Sequence, residues 1–125
     1  MKSTMTVLKV MPGHKPERAE INHTLEAMQE LVGGSIQAIY PYEDPVAIVC
    51  NEEGKLLGLE PNRAIFDEDG TILDIISGTF FVCGLGEEDF CSLSEKQLSQ
   101  YMDLFYHPEI FLWNGSSLVV LPQRT

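Results

Sequence analysis

The stretch AIFDEDGTILD, residues 64–74, decides the fold. Three apolar residues lead into two aspartates one residue apart, Asp67 and Asp69, and Gly-Thr then leads out into Ile72 and Leu73. Two carboxylates on one short loop can line a reaction centre beside a metal ion. The same letters can spell the tip of a β-hairpin. In that reading Asp69-Gly70 supplies the positive φ angles of a type I′ turn, and acids at the tip discourage edge-to-edge pairing. The first reading demands a doubly wound parallel sheet. The second demands antiparallel ribbons, and the rest of the chain favours it.

Residues 66–71 resemble the first motif of the haloacid dehalogenase-like phosphatases, an apolar strand followed by DxDGT. The resemblance implies a magnesium-dependent phosphatase with Asp67 as nucleophile and Asp69 as general acid. Such chemistry also needs a Ser or Thr, a Lys and a further acidic pair delivered by βαβ units of about thirty residues each. Only 125 − 71 = 54 residues follow Thr71, and Lys96 is the sole lysine among them. Aligned as an EF-hand loop, the stretch places Ile65 and Ile76 where the first and twelfth ligands belong. The hairpin tip therefore prevails, and no metal site, catalytic residue or cofactor is expected.

A chain of 125 residues, 44% hydrophobic and 22% charged, suits a single domain spanning 1–125. The opening MKSTMTVLKV is too short an apolar run for a signal core, and no window reaches the length of a membrane span. A soluble, cytoplasmic protein is expected, with no membrane partner. Cys50, Cys83 and Cys91 form an odd set without CxxC spacing, which argues against a disulfide framework or a zinc knuckle.

The net charge of −11 is concentrated. Residues 43–90 hold twelve acids against Lys55 and Arg63, a balance of 2 − 12 = −10. This field repels nucleic-acid phosphates and draws in a basic partner. Glu52, Glu53, Asp67, Glu68, Asp69, Glu87, Glu88 and Asp89 are the expected acidic partner surface.

Along the chain, TVLKVMPG reads as a strand and PERAEI as its antiparallel return. NHTLEAMQELVGG reads as a helix capped by Asn22 or Thr24, with Leu25, Met28 and Val32 on one face and Gly33 at its end. SIQAIYPY and PVAIVC read as strands, NEEGKLLGL as a hairpin and ISGTFFVCGLG as a buried strand. SEKQLSQYMDLF carries the capping box Ser94/Gln97 and an apolar face of Leu98, Tyr101, Met102 and Phe105. EIFLWNGSSLVVLP offers a hairpin around Asn114-Gly115, with Trp113 read as core in preference to an exposed docking edge. The fold class is α+β. Its sheet is mixed but mainly antiparallel, with a helix across it in β-grasp-like order, a second helix and a C-terminal accessory hairpin within 107–125.

The strings VGG, YPYEDPVA, NEEGKLLGLEPNRA and ISGTFF resemble an uncharacterised domain-of-unknown-function family. Its members are short acidic proteins of Firmicutes, their phages and conjugative elements, and the likeness covers about 5–106. The resemblance implies a bacterial cytosol with mobile DNA and lends no catalytic residues.

Small-ligand candidates come from the residues themselves. Arg63 can grip a carboxylate or phosphate through its planar fork, or instead pair with Glu60 or Asp74. Asn62 beside it can donate and accept. Tyr40 and Tyr42 around Pro41 can form an aromatic wall. Asp74 and Thr79, the latter in SGTF, complete the ligand-binding candidates. His14, His23 and His107 lack metal or catalytic spacing. Two readings lead: a non-enzymatic regulatory or accessory protein that engages a basic partner through its acidic surface, and a nucleotide- or metabolite-binding domain around Arg63 and Tyr40/Tyr42.

Overall fold

A computed structural model describes residues 3–123. Ten strands and two helices follow in chain order. β1 (Thr4–Val10) and β2 (Glu17–Asn22) precede α1 (Leu25–Val32); β3 (Ile36–Ile39) and β4 (Val46–Asn51) follow it. Then come β5 (Pro61–Phe66), β6 (Ile72–Ser77), β7 (Phe80–Leu85) and β8 (Phe90–Cys91). The chain continues with α2 (Glu95–Leu104), β9 (Glu109–Trp113) and β10 (Leu118–Pro122).

The main sheet runs β2-β1-β7-β4-β3, with β8 added to the far half of β7. All its pairings are antiparallel. The fold is thus α+β, a mainly antiparallel sheet with helices packed on it and hairpins attached.

Side-chain alternation divides the core between the two faces of this sheet. On one face Met5, Val7, Val49 and Phe81 meet Met28 and Val32 of α1. On the other, Leu8, Val10, Ile48 and Phe80 meet Leu98, Tyr101 and Phe105 of α2, with Ile65 and Ile76 from the β5–β6 hairpin. Adjacent Phe80 and Phe81 serve opposite layers, and Phe80 meets Phe105 edge-on at 5.4 Å. Covering both faces explains why β4 is buried along its whole length instead of alternating.

Both helices begin at polar caps, and α1 ends at a left-handed glycine. The Thr24 hydroxyl accepts from Ala27 N at 3.1 Å, and Gly33 closes α1 in the left-handed conformation at φ 81°. Ser94 and Gln97 form the reciprocal capping box of α2. Leu25 nonetheless lies 53% exposed, outside the buried stripe of Met28 and Val32.

Residues 64–74 fold as a hairpin tip, but not as a type I′ turn. No non-glycine residue has positive φ among the described residues, and Gly70 alone in the tip adopts it, at 82°. Gly70 N donates to Asp67 O, and Asp67 N donates to Thr71 O. The Asp67 carboxylate accepts from Asp69 N and Thr71 N, each at 2.9 Å. This is a three-residue loop in which a left-handed glycine follows a tight turn, stapled by an aspartate side chain. That bonding spares Asp69 the left-handed conformation.

Two other expectations are corrected, and one is borne out. NEEGKLLGL forms no hairpin: Leu57 N→Glu53 O and Leu59 N→Gly54 O wind it into helical turns. At Gly54 an added Cβ would stand 2.7 Å from Ser77 O, so the bend packs tightly on the end of β6. The hairpin expected around Asn114-Gly115 forms between β9 and β10, with Gly115, φ 97°, at the first central position of its turn and the Asn114 side chain accepting from Ser117 N at 2.9 Å. Trp113 is not core; it is 70% exposed. β9 and β10 pair with each other away from the main sheet, so nothing there covers the indole.

Candidate functional site

Arg63 and Asn62 sit at the centre of the molecule, not at its surface. Both are fully buried on β5. The Arg63 Nε and Nη2 groups donate to Phe105 O at 3.2 and 3.0 Å, and Nη2 also donates to His14 O at 2.6 Å. Nη1 donates to Asn62 O and Oδ1 at 3.2 and 2.8 Å. All five guanidinium donors are thereby used. Asn62 Nδ2 in turn donates to Val10 O and Gly78 O, both at 2.9 Å.

This node ties β5 to the end of β1, the loop after it, and the C-terminal carbonyl of α2, where a cation also answers the helix dipole. Burial lowers the Arg63 pKa, and Glu109 opposes that shift. Arg63 pairs with neither Glu60 nor Asp74; Asp74 is held by Lys55. Glu109 Oε1 accepts from Ala64 N at 2.7 Å, and burial raises its pKa above the ordinary carboxylate value despite that bond and Arg63.

The remaining ligand candidates are scattered. Thr79 lies toward the α1 side, lining shallow clefts with Leu31 and Glu30. Tyr40 is 60% exposed and borders a recess with Glu87, Glu88 and Asp89. Tyr42 instead packs against Tyr101 at 5.3 Å, and burial raises the pKa of both hydroxyls. The two tyrosines thus belong to neighbouring clefts and form no single wall.

What the fold does assemble is an acidic end. Loop 40–44 (YPYED) lies between the tip of the β5–β6 hairpin (FDEDG, 66–70) and the loop entering β8 (GEEDF, 86–90). These segments carry eight acids and no Lys or Arg. Between the first two is a cleft of about 400 Å³, walled by Tyr42, Phe66 and Leu104 and rimmed by Glu43, Asp67 and Glu68. Phe66 and Leu104 are 40% and 56% exposed there. Asp44 is fixed by Gln100 Nε2 at 2.8 Å and by Tyr101 OH at 2.9 Å. Glu52 and Glu53 do not belong to this surface. They follow Asn51, while loop 40–44 adjoins Val46, and the five residue steps along β4 separate them by about 17 Å.

At the opposite end of the sheet, His14, Lys15, Tyr106 and His107 border a cleft of about 550 Å³. Lys15 Nζ stands 4.8 Å above the Tyr106 ring. Sequence reasoning passed over this cluster because it joins segments ninety residues apart; the one signal was a lysine beside a histidine in a base-poor chain. Cys50 and Cys83 are buried thiols whose pKa burial raises, Cys83 to about 12, whereas Cys91 is exposed. No helix among the described residues is long and apolar enough to cross a membrane.

Residues 5–106 match the family described as Domain of unknown function (DUF3846). No curated protein and no solved structure matches the chain.

Proposed function

The chain belongs to the DUF3846 family, and we propose that it is a non-enzymatic binding or regulatory domain whose acidic end engages a basic segment of a protein partner. The observation that carries this reading is the 400 Å³ cleft, whose aromatic and aliphatic walls meet a carboxylate rim with no cation in the surrounding loops. An Arg or Lys side chain suits it: the stem lies against Tyr42, Phe66 and Leu104, and the charged head meets Glu43 and Glu68. The wider field of the acidic end accelerates encounter with such a partner. A bacterial cytoplasm containing mobile DNA, the setting its sequence resemblance implies, abounds in basic nucleic-acid-binding proteins. Asp67 is engaged in its own turn, and Arg63, the candidate ligand anchor, in the buried node.

Fluorescence anisotropy with a short labelled peptide alternating Arg and Leu tests the proposal. Glu43→Gln with Glu68→Gln should weaken binding at least about tenfold, a loss of about 1.4 kcal/mol. The charge-matched pair Glu52→Gln with Glu53→Gln should change it little. Equal losses from both pairs would reduce the effect to net charge and reject the cleft.

A second reading, a site for a small organic anion, rests on the other cleft. There Lys15 has no carboxylate within ion-pair distance among the described residues, and His14 and His107 flank it. Thermal shifts with AMP that disappear in Lys15→Gln would support it; no shift at millimolar AMP would end it.

A further inference from the structure

We propose that the outer edge of β3 takes up an added strand, an extended uncharged stretch of the same partner whose basic residues enter the acidic end. The partner's charge rests on the reading above; the mode of binding rests on β3 itself. β3 is the last strand of the main sheet and pairs only with β4. Glu52 N donates to Ser35 O at 2.8 Å, and the register sets Ile36 opposite Asn51 and Gln37 opposite Cys50. In an antiparallel pair every second residue bonds inward. Ser35, Gln37 and Ile39 therefore bond toward β4, while the N–H and C=O groups of Ile36 and Ala38 point away from the sheet. No hydrogen bond among the described residues reaches those outward groups.

The two edges of the sheet differ. β2, on the opposite side, carries Glu17, Arg18 and Glu20, and Arg18 is held by Glu95 at 3.0 Å. Charged side chains of this kind deter strand addition. β3 reads IQAI, with no charge, no proline and no break in register.

The chemistry of this edge selects its occupant. Unpaired backbone donors and acceptors recognise an extended chain, and its alternate side chains set the specificity. Ile36 and Ala38 pack against the α1 layer of the core, so residues opposite them on an added strand extend that layer and are apolar. Residues 19–54 hold seven acids and no Lys or Arg, so basic residues suit the flanks of the stretch. A second copy, at charge −11, would bring the same acids to the edge. β3 leads through Tyr40 directly into loop 40–44. An antiparallel strand on it therefore carries the residues that enter the cleft just before the stretch that pairs.

Anisotropy tests this by comparing the short Arg/Leu peptide, which spans the cleft alone, with the same peptide extended at its C-terminus by Thr-Val-Thr-Val-Thr. The extension should tighten binding at least about tenfold. Ala38→Pro removes an outward N–H and leaves the β3–β4 ladder intact, a placement that edge strands tolerate. It should abolish the gain without changing the affinity of the short peptide, and circular dichroism verifies that it folds. Hydrogen exchange at Ile36 and Ala38 should slow at least about tenfold with the extended peptide and not with the short one. An extension that adds no affinity, a gain that persists in folded Ala38→Pro, or Ile36 and Ala38 amides left unprotected overturns the inference. A short peptide that fails to bind rejects the cleft alone, because protection at Ile36 and Ala38 is read separately.

Discussion

Replacing Arg63 by Met keeps most of the side chain's volume and removes the guanidinium. Four acceptor atoms lose their donors: Phe105 O, His14 O, Asn62 O and Asn62 Oδ1. A buried acceptor left without a partner costs about 1–3 kcal/mol. Phe105 O and His14 O bear most of that cost, together about 2–6 kcal/mol. Relief from desolvating a cation offsets part of it, leaving a net loss of about 2–4 kcal/mol. A chain of 125 residues has about 6–15 kcal/mol in total. The variant should fold, with its urea midpoint lowered by about 1–2 M at an m value near 2 kcal/mol/M. Arg63→Lys should not rescue it, because a single ammonium cannot reproduce a planar fork spanning α2, β5 and the loop after β1. A midpoint drop below about 0.5 M in Arg63→Met would refute the reasoning, since an arginine held for a ligand costs little to remove.

Glu109 gives a pH prediction. Its pKa is raised in the folded state, so folding favours the protonated form; its contribution is fully present below about pH 4.5 and is lost as pH rises through the folded value. Glu109→Gln keeps an acceptor for Ala64 N and should flatten the fall in urea midpoint above that pH, a trend that would steepen if the shift had the opposite sign. The thiols give another. Cys91 should react promptly with an aromatic disulfide reagent at pH 8, while Cys50 and Cys83 react only on unfolding. Rapid modification of two thiols in the native chain would contradict the described core.

The local signals in the sequence were strong where a few adjacent residues settle the structure. Thr24, Gly33, Ser94 and Gln97 stop and start helices through bonds spanning three or four residues, and they do so in the structure. The hairpin at 64–74 was legible because DEDG supplies its own turn bonds, although the turn type was not: the Asp67 side chain satisfies the loop without a left-handed aspartate. Long-range features were opaque. Arg63 is surrounded by acids in sequence, yet in space it meets carbonyls from residues 14 and 105. Trp113 sits in an apolar run that reads as core, and only the sheet order places that run outside the main layer. The acidic end was visible as charge, but its cleft depends on α2 bringing Tyr101 and Leu104 against loop 40–44.

The most direct test of the functional account is amide chemical-shift mapping of the folded protein titrated with the Arg/Leu peptide at physiological salt. The account predicts saturable shifts confined to 40–44, 66–70 and 86–90, with none at Glu52 and Glu53. Shifts centred on Lys15 and His107, or weak changes spread over every acidic residue, would contradict it.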